Sequence, residues 1–313
     1  MKPKVFVDGQ EGTTGLRIHD YLAKRSDLEV MKIAAEDKKD TEKRRQYLNA
    51  ADLVFLCLPD QAAREAVSLI DNPKTRVIDA STAHRTIWTY GFPELNKTQR
   101  AEIRTANRVS VPGCHATGFV SLAYPLVREG FLSASAPLVC NSLTGYSGGG
   151  KSLIRKFEED GGLKTKSPRP YALKLTHKHQ PEMQKIVKLD QPPLFTPVVA
   201  DFYKGMAVFL PIPVQIMEKR VSPKEIQEFL KSYYAGETFI RVMPLETEAY
   251  LEEGFLDVEG CNDTNRLDIF VFGHESQILL LARLDNLGKG ASGAAIQNMN
   301  LMLGLDETIG LQA

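Results

Sequence analysis

One thiol and a pair of imidazoles carry most of the chemistry this 313-residue sequence offers. Cys114 lies in the run Arg108-Val-Ser-Val-Pro-Gly-Cys-His-Ala-Thr-Gly118, which reads as a strand, a Pro-Gly turn and a helix continuing to Arg128. At a helix start the thiol sits near backbone N–H groups that lack intrahelical partners and near the positive end of the helix dipole. That setting favours the thiolate, which is the nucleophilic form. Alone it decides little, because a solitary cysteine with apolar neighbours is more often a small buried hydrophobe. The imidazoles stand in Thr176-His-Lys-His179-Gln-Pro-Glu182. His177 and His179 would share one side of a strand but point to different faces of a helix. A metal would need further ligands, and no other Cys or His lies near the pair in sequence, so no metal is expected. One of the two as acid/base partner of Cys114 fits the thiol better, and the residues alone do not decide which. Pro181 suits the first turn of a helix, and Glu182 could orient an imidazole. His19, His84, His115 and His274 read as surface or supporting groups, with the role of His115 left open because it adjoins the thiol.

Two glycine loops compete for a phosphate. Asp8-Gly9-Gln-Glu-Gly12-Thr13-Thr14-Gly15 follows the first strand and opens the first helix, a GxxGxxG variant of the dinucleotide fingerprint. Glycines let the backbone approach a pyrophosphate, and the helix N-terminus supplies donors. Glu36 is the nearest acid placed to grip a ribose hydroxyl, but Lys38 and Lys39 follow it, and cations there suit a 2′-phosphate. The loop therefore leans towards NADP. The second loop, Gly145-Tyr-Ser-Gly-Gly-Gly150-Lys151-Ser152, satisfies the P-loop pattern in full. Against an NTPase stand the nucleotide loop already present, the lack of an obvious magnesium-holding Asp, and surrounding strands that read antiparallel. A loop tolerant of anions and lining a substrate pocket through Ser147, Gly148 and Gly149 is the preferred reading, with a plain turn as the bland one. Arg85, on the loop after Asp79, has the fork geometry of a phosphate clamp and equally suits a solvated surface.

The elements that must position these groups form two textures. Val5–Val7, Leu28–Ala34, Leu53–Leu58 and Arg76–Asp79 read as strands alternating with helices from about Gly12 to Lys24, Thr41 to Asn49 and Gln61 to Ile70. Continuous apolar strands in such alternation predict an α/β fold, a Rossmann-like doubly wound parallel sheet. After Cys114 come longer strands at Leu138–Leu143, Phe195–Ala200, Met206–Val214, Phe239–Met243, Leu267–Phe272 and Gln277–Leu284, with Gly273–Ser276 as a hairpin turn. These predict a second α+β domain with a mostly antiparallel sheet. A helix at Ala291–Leu303 is expected to pack back on the first domain. The boundaries follow: 1–112 with 288–313, and 113–287.

Composition narrows the partners. Thirty-nine basic and thirty-nine acidic residues cancel, which gives no reason to expect nucleic acid or an anionic membrane. No apolar run approaches a membrane span. Four cysteines without a CxxC spacing fit reduced thiols in a cytoplasmic protein. The N-terminus runs straight into a strand, so no signal peptide is expected. Unspent apolar area on the second domain's strands points to a homodimer or homotetramer.

Taken together, the Gly9–Gly15 loop, Asp79-Ala-Ser-Thr82, Tyr90-Gly-Phe-Pro-Glu-Leu95, Pro112-Gly-Cys114, Ser147-Gly-Gly-Gly150, His177-x-His179-x-Pro-Glu182 and Asp285-Asn-Leu-Gly-Lys-Gly290 resemble N-acetyl-γ-glutamyl-phosphate reductase in its shorter class, within the semialdehyde dehydrogenases. The similarity covers nearly the whole chain. It implies NADPH-dependent reduction of an acyl phosphate, N-acetylglutamyl phosphate, to the semialdehyde and phosphate through a thioester on Cys114, in arginine biosynthesis. It implies His179 as the acid/base with Glu182 supporting it, and NADP(H) held by Gly9, Gly12, Thr13, Thr14, Gly15, Ser81, Asn286 and Gly288. The first domain would then bind NADP and the second would carry catalysis, substrate binding and oligomerisation. His115 stands where the family often has an aromatic, and the P-loop match at Lys151 is taken as coincidence. Alternatives are a related reductase of the aspartate-semialdehyde or N-acyl-aminoadipyl phosphate type, a P-loop NTPase using Lys151, and a non-catalytic NADP-binding sensor.

Overall fold

The computed structural model describes residues 2–9, 12–158, 167–245 and 248–313. The chain divides into two compact units: one runs to Pro112 and resumes at Ala291–Leu311, and the other comprises Gly113–Gly290 with the last two residues. The second crossing follows Gly290 rather than residue 287, because the Gly288 and Gly290 amides are both bonded to the Asp285 carbonyl and stay with the second unit.

The first unit contains β1 (Lys4–Asp8), α1 (Thr13–Ala23), β2 (Glu29–Met31), α2 (Thr41–Ala50), β3 (Leu53–Leu56), α3 (Asp60–Ser68), β4 (Arg76–Asp79), β5 (Thr89–Tyr90), α4 (Gln99–Thr105) and β6 (Arg108–Ser110). The strands form one six-stranded sheet in the order β2-β1-β3-β4-β6-β5, with every pairing parallel. Alternate side chains serve opposite faces. Val5, Val7, Leu53 and Phe55 pack with Ile18 and Leu22 of α1 and Ile103 of α4, while Phe6, Val54 and Leu56 pack with Leu48 of α2 and Ala63 and Ala66 of α3. Helices on both faces explain why the strands are apolar throughout. β2 is shorter than expected, because the chain leaves the sheet after Met31 and makes a 3-10 turn at Glu36–Lys39.

The helix expected near the C-terminus is α9 (Gly293–Met302), and it joins the first unit. It is buried along its whole length, yet it carries Gln297, Asn298 and Asn300. Each amide has partners: Gln297 donates to Glu94 at 2.8 Å, Asn298 donates to the Gly91 carbonyl at 2.8 Å, and Asn300 accepts from Arg25 at 2.8 Å. These bonds offset the cost of burying a polar helix, although the Asn298 Oδ1 has no hydrogen-bond partner among the described residues.

The second unit holds α5 (Cys114–Arg128), β7 (Val139–Gly145), α6 (Gly150–Glu158), β8 (Arg169–Pro170), α7 (Gln180–Val187), β9 (Leu194–Ala200), β10 (Met206–Pro213), α8 (Pro223–Tyr233), β11 (Ile240–Val242), β12 (Leu267–His274) and β13 (Gln277–Leu284). Its seven strands run in the order β11-β12-β13-β10-β7-β9-β8. Pairings are antiparallel except β11 with β12 and β7 with β9, so the sheet is mixed and mostly antiparallel. α5 lies on β10 and β13, and a side chain at Gly118 would collide with Val208. That close approach seats the helix bearing Cys114. Among the described residues, no helix is long and apolar enough to cross a membrane.

Candidate active site

Cys114 is the first residue of α5, with Gly113 as an extended N-cap that offers no side chain to the orphan amides. The preceding turn is held from α7: the Glu182 carboxylate accepts from the Gly113 N–H at 2.9 Å, and Glu182 is only 1% exposed. Glu182 thus positions the nucleophile through the backbone, a task beyond the imidazole support expected of it. Thr117 closes the same turn, its amide and hydroxyl both donating to the Gly113 carbonyl at 2.8 and 3.1 Å.

The two histidines of the motif differ in setting. His179 caps α7 and is buried, whereas His177 is half-buried and its Nδ1 accepts from the His179 N–H at 3.1 Å. Cys114, His115 and His179 bring one sulfur and two nitrogens within 4.8 Å of one another. The expectation of no metal rested on the lack of Cys or His near the pair in sequence, and folding overturns that premise. His177 remains close, its ring centroid 4.8 Å from His179 and 5.5 Å from His115.

His115 is buried among these groups, with Ser142 Oγ and Tyr171 OH each 2.8 Å from one of its ring nitrogens and the Phe195 ring in an edge-type contact, centroids 5.1 Å apart. Burial, then the charges of His177 and Lys178, push its pKa down to about 3, so the ring is neutral at neutral pH. Tyr171 is pushed up by burial and by the neighbouring charge of Cys114, which keeps the phenol protonated.

The segment after β13 lies against the nucleophile. A Cβ at Gly290 would stand 2.8 Å from the Cys114 Cβ. Asp285 shapes this turn by accepting from Leu287 at 2.8 Å and Asp263 at 2.9 Å through its carboxylate, and its carbonyl accepts from Gly288 and Gly290. Asn286 bridges to the second glycine loop, donating to Ser147 Oγ at 3.0 Å and accepting from the Gly205 N–H at 2.8 Å. Asn286 and Gly288 thus lie on one connection, and Asn286 touches the Ser147–Gly149 loop. That loop is no phosphate cradle of the P-loop kind. The Gly145, Tyr146 and Ser147 amides already donate to the Gly205, Phe202 and Tyr203 carbonyls, and Lys151 is exposed.

In the first unit the sheet order reverses between β1 and β3, the switch point where doubly wound sheets bind ligands. Gly9 occupies it with φ +92°, and any side chain there would strike the Cys57 carbonyl. Gly12 caps α1 without a side chain, and Thr13, Thr14 and Gly15 form its first turn, leaving amides for an anion. Gln10 and Glu11 lie outside the described residues. These features fit a dinucleotide pyrophosphate. Ser81 donates to the fully buried Asp79 at 2.8 Å, and Asp79 also pairs with His84 at 2.6 Å. His84 is thus a buried partner stacked on Trp88 at 4.0 Å, not a surface group. Arg85 is buried too. Its Nε donates to the Val111 carbonyl at 2.9 Å and an Nη to Ala80 at 3.3 Å, so it braces the strand ends of its own unit.

Comparison with known proteins gives the family. The family model described as "Semialdehyde dehydrogenase, NAD binding domain" matches residues 4–104, and "Semialdehyde dehydrogenase, dimerisation domain" matches residues 114–286. N-acetyl-gamma-glutamyl-phosphate reductase 2 of Nostoc sp. (strain PCC 7120) is 48% identical over 320 residues, covering 99% of each chain. The chain belongs to the N-acetyl-gamma-glutamyl-phosphate reductase family. Another family member, N-acetyl-gamma-glutamyl-phosphate reductase 2 of Pseudomonas putida, is 44% identical over 306 residues, covering 96% of this chain and 97% of its own. The aspartate semialdehyde dehydrogenase II of Vibrio cholerae shares the fold with a TM-score of 0.69 at 16% identity, covering 97% and 99% of the two chains. That of Francisella tularensis gives 0.68 at 15%, covering 96% and 100%. Membership brings a nicotinamide cofactor to the first unit.

Sequence reasoning missed three side chains in this reductase-family site. Ser142 and Phe195 come from the interior strands β7 and β9, where nothing distinguishes them from packing residues. Tyr171 follows β8, and its place six residues before His177 was the one available hint.

Proposed function

We propose that this chain reduces N-acetyl-L-glutamyl 5-phosphate to N-acetyl-L-glutamate 5-semialdehyde and phosphate with NADPH, through a thioester on Cys114. The observation that carries the reading is the pairing of a helix-start thiol with a buried imidazole: Cys114 and His179 share the cluster of ligand atoms within 4.8 Å. His179 takes the thiol proton. The sulfur then attacks the acyl carbon, the C–S bond forms, and the bond to the phosphate oxygen breaks with phosphate as leaving group. When bound, the nicotinamide supplies the hydride that reduces the thioester carbonyl. His179 protonates the resulting oxyanion and recovers the proton as the C–S bond breaks to release the aldehyde. His115, neutral by burial, holds Tyr171 rather than moving protons. Ser147, Gly148 and Gly149 bind the acyl phosphate.

Gly9, Gly12, Thr13, Thr14, Gly15 and Ser81 hold the cofactor, with Asn286 and Gly288 assigned to its nicotinamide end. Lys38 and Lys39 favour NADP(H) over NAD(H), as two cations at the end of the turn after β2. The enzyme works in the cytoplasm as a homodimer or homotetramer. The test is phosphate-dependent reduction of NADP by the semialdehyde in wild type and Cys114→Ser. The serine variant loses the reaction; wild-type rates in it would refute the thioester route.

A further inference from the structure

We propose that Cys114, His115 and His179 form a zinc site, an S,N,N set that takes Zn²⁺ reversibly and blocks the nucleophile while it is bound. This goes beyond the reductase reading and does not depend on it, because it rests on the cluster's geometry. The three ligand atoms already lie within 4.8 Å of one another. A tetrahedral zinc with bonds of about 2.0–2.3 Å holds such atoms roughly 3.3–3.6 Å apart, so closing the set takes only side-chain rotation. Three protein ligands leave a fourth position for water.

The second observation is how His115 is held. Its two ring nitrogens face Ser142 Oγ and Tyr171 OH, each at 2.8 Å. A ligating imidazole is normally fixed by a hydrogen bond at its other nitrogen. Ligation by either nitrogen gives up the hydroxyl now bonded to it and keeps the hydroxyl on the other. His115 and His179 are 3% and 5% exposed, while Cys114 is partly exposed and gives the ion its way in. One sulfur and two imidazoles suit borderline-soft Zn²⁺, whereas Mg²⁺ and Ca²⁺ need oxygen ligands. Binding exchanges one proton for the ion. It leaves the thiol, or the imidazole that has accepted it, for solvent as the S–Zn bond forms, and no electrons move.

The test uses the full chain, stripped of metal and kept reduced, titrated with Co²⁺ and then with Zn²⁺ against a chromogenic chelator. The expected result is one ion per chain, a sulfur-to-cobalt charge-transfer band that zinc abolishes, and one proton released per ion. Zinc also slows iodoacetamide labelling of Cys114. Cys114→Ser loses the charge-transfer band, and His115→Phe weakens zinc binding by at least about tenfold. Far-ultraviolet circular dichroism checks that both variants fold. No saturable binding below about 100 μM zinc, a cobalt band that survives Cys114→Ser, or unchanged affinity in a folded His115→Phe each overturns the site. None of these outcomes touches the thioester route, which is read by turnover.

Discussion

His179 and His177 differ in what surrounds them, and that sets distinct expectations for each. His179→Asn removes the acid/base group and is expected to lower kcat by about 10²–10⁴-fold. His177→Asn keeps an acceptor for the His179 N–H and costs far less; steady-state rates with pH profiles separate the two. His115 has a different signature. Its folded pKa of about 3 lies below the ordinary value of 6.5, so between those limits the unfolded chain binds a proton that the folded chain does not. Stability therefore falls as pH drops through that window, by about 1.4 kcal/mol per pH unit from this residue. Urea unfolding between pH 7 and pH 5 should show a shallower pH dependence in His115→Phe, and an identical slope would contradict the assignment. Cys114 was legible because a Pro-Gly turn before a helix is a local signal. His115 as a member of the cluster was not, because its partners Ser142, Tyr171 and His179 are supplied by distant segments.

Two connections between elements set the site, and one of them can be perturbed cleanly. The turn from β13 towards α9 brings Gly290 so close that a methyl group there would press on the Cys114 side chain, at 2.8 Å between Cβ atoms. Gly290→Ala should leave circular dichroism intact, slow alkylation of Cys114, and lower kcat by roughly 10²-fold, the cost of a misplaced reacting group. Unchanged kcat and alkylation would show that the turn does not position the thiol. Most elements were readable from period and composition: β10 and β13 match their expected spans within a residue. β2 was overextended, since apolar residues beyond Met31 pack without joining the sheet, as Ile33 does. Glu182 was read as a support for an imidazole, and its bond to Gly113 was invisible, because it joins positions 69 residues apart.

At the scale of the whole chain, equal numbers of basic and acidic residues, 39 of each, leave cofactor charge to be read by local groups. A ligand that binds only the folded chain stabilises it by about 2.7 kcal/mol at one hundred times its Kd. NADP should therefore raise the melting temperature more than NAD at equal concentration, and the double variant Lys38→Ala, Lys39→Ala should erase the difference. If the variant still prefers NADP, those lysines do not read the 2′-phosphate. The two-unit plan was legible because strand character changes near Cys114, whereas the exact return point was not. It depends on how Asp285 folds the turn around its own carbonyl, a matter of hydrogen bonds rather than of pattern.

The most direct test of the thioester is to withhold the cofactor. Purified enzyme mixed with N-acetylglutamyl phosphate alone should release one phosphate per active chain and gain one acyl group in intact mass, located on Cys114. Adding NADPH should discharge it as the semialdehyde, and Cys114→Ser should show neither event. Turnover in the complete mixture with no acyl-enzyme and no phosphate burst beforehand would contradict the account.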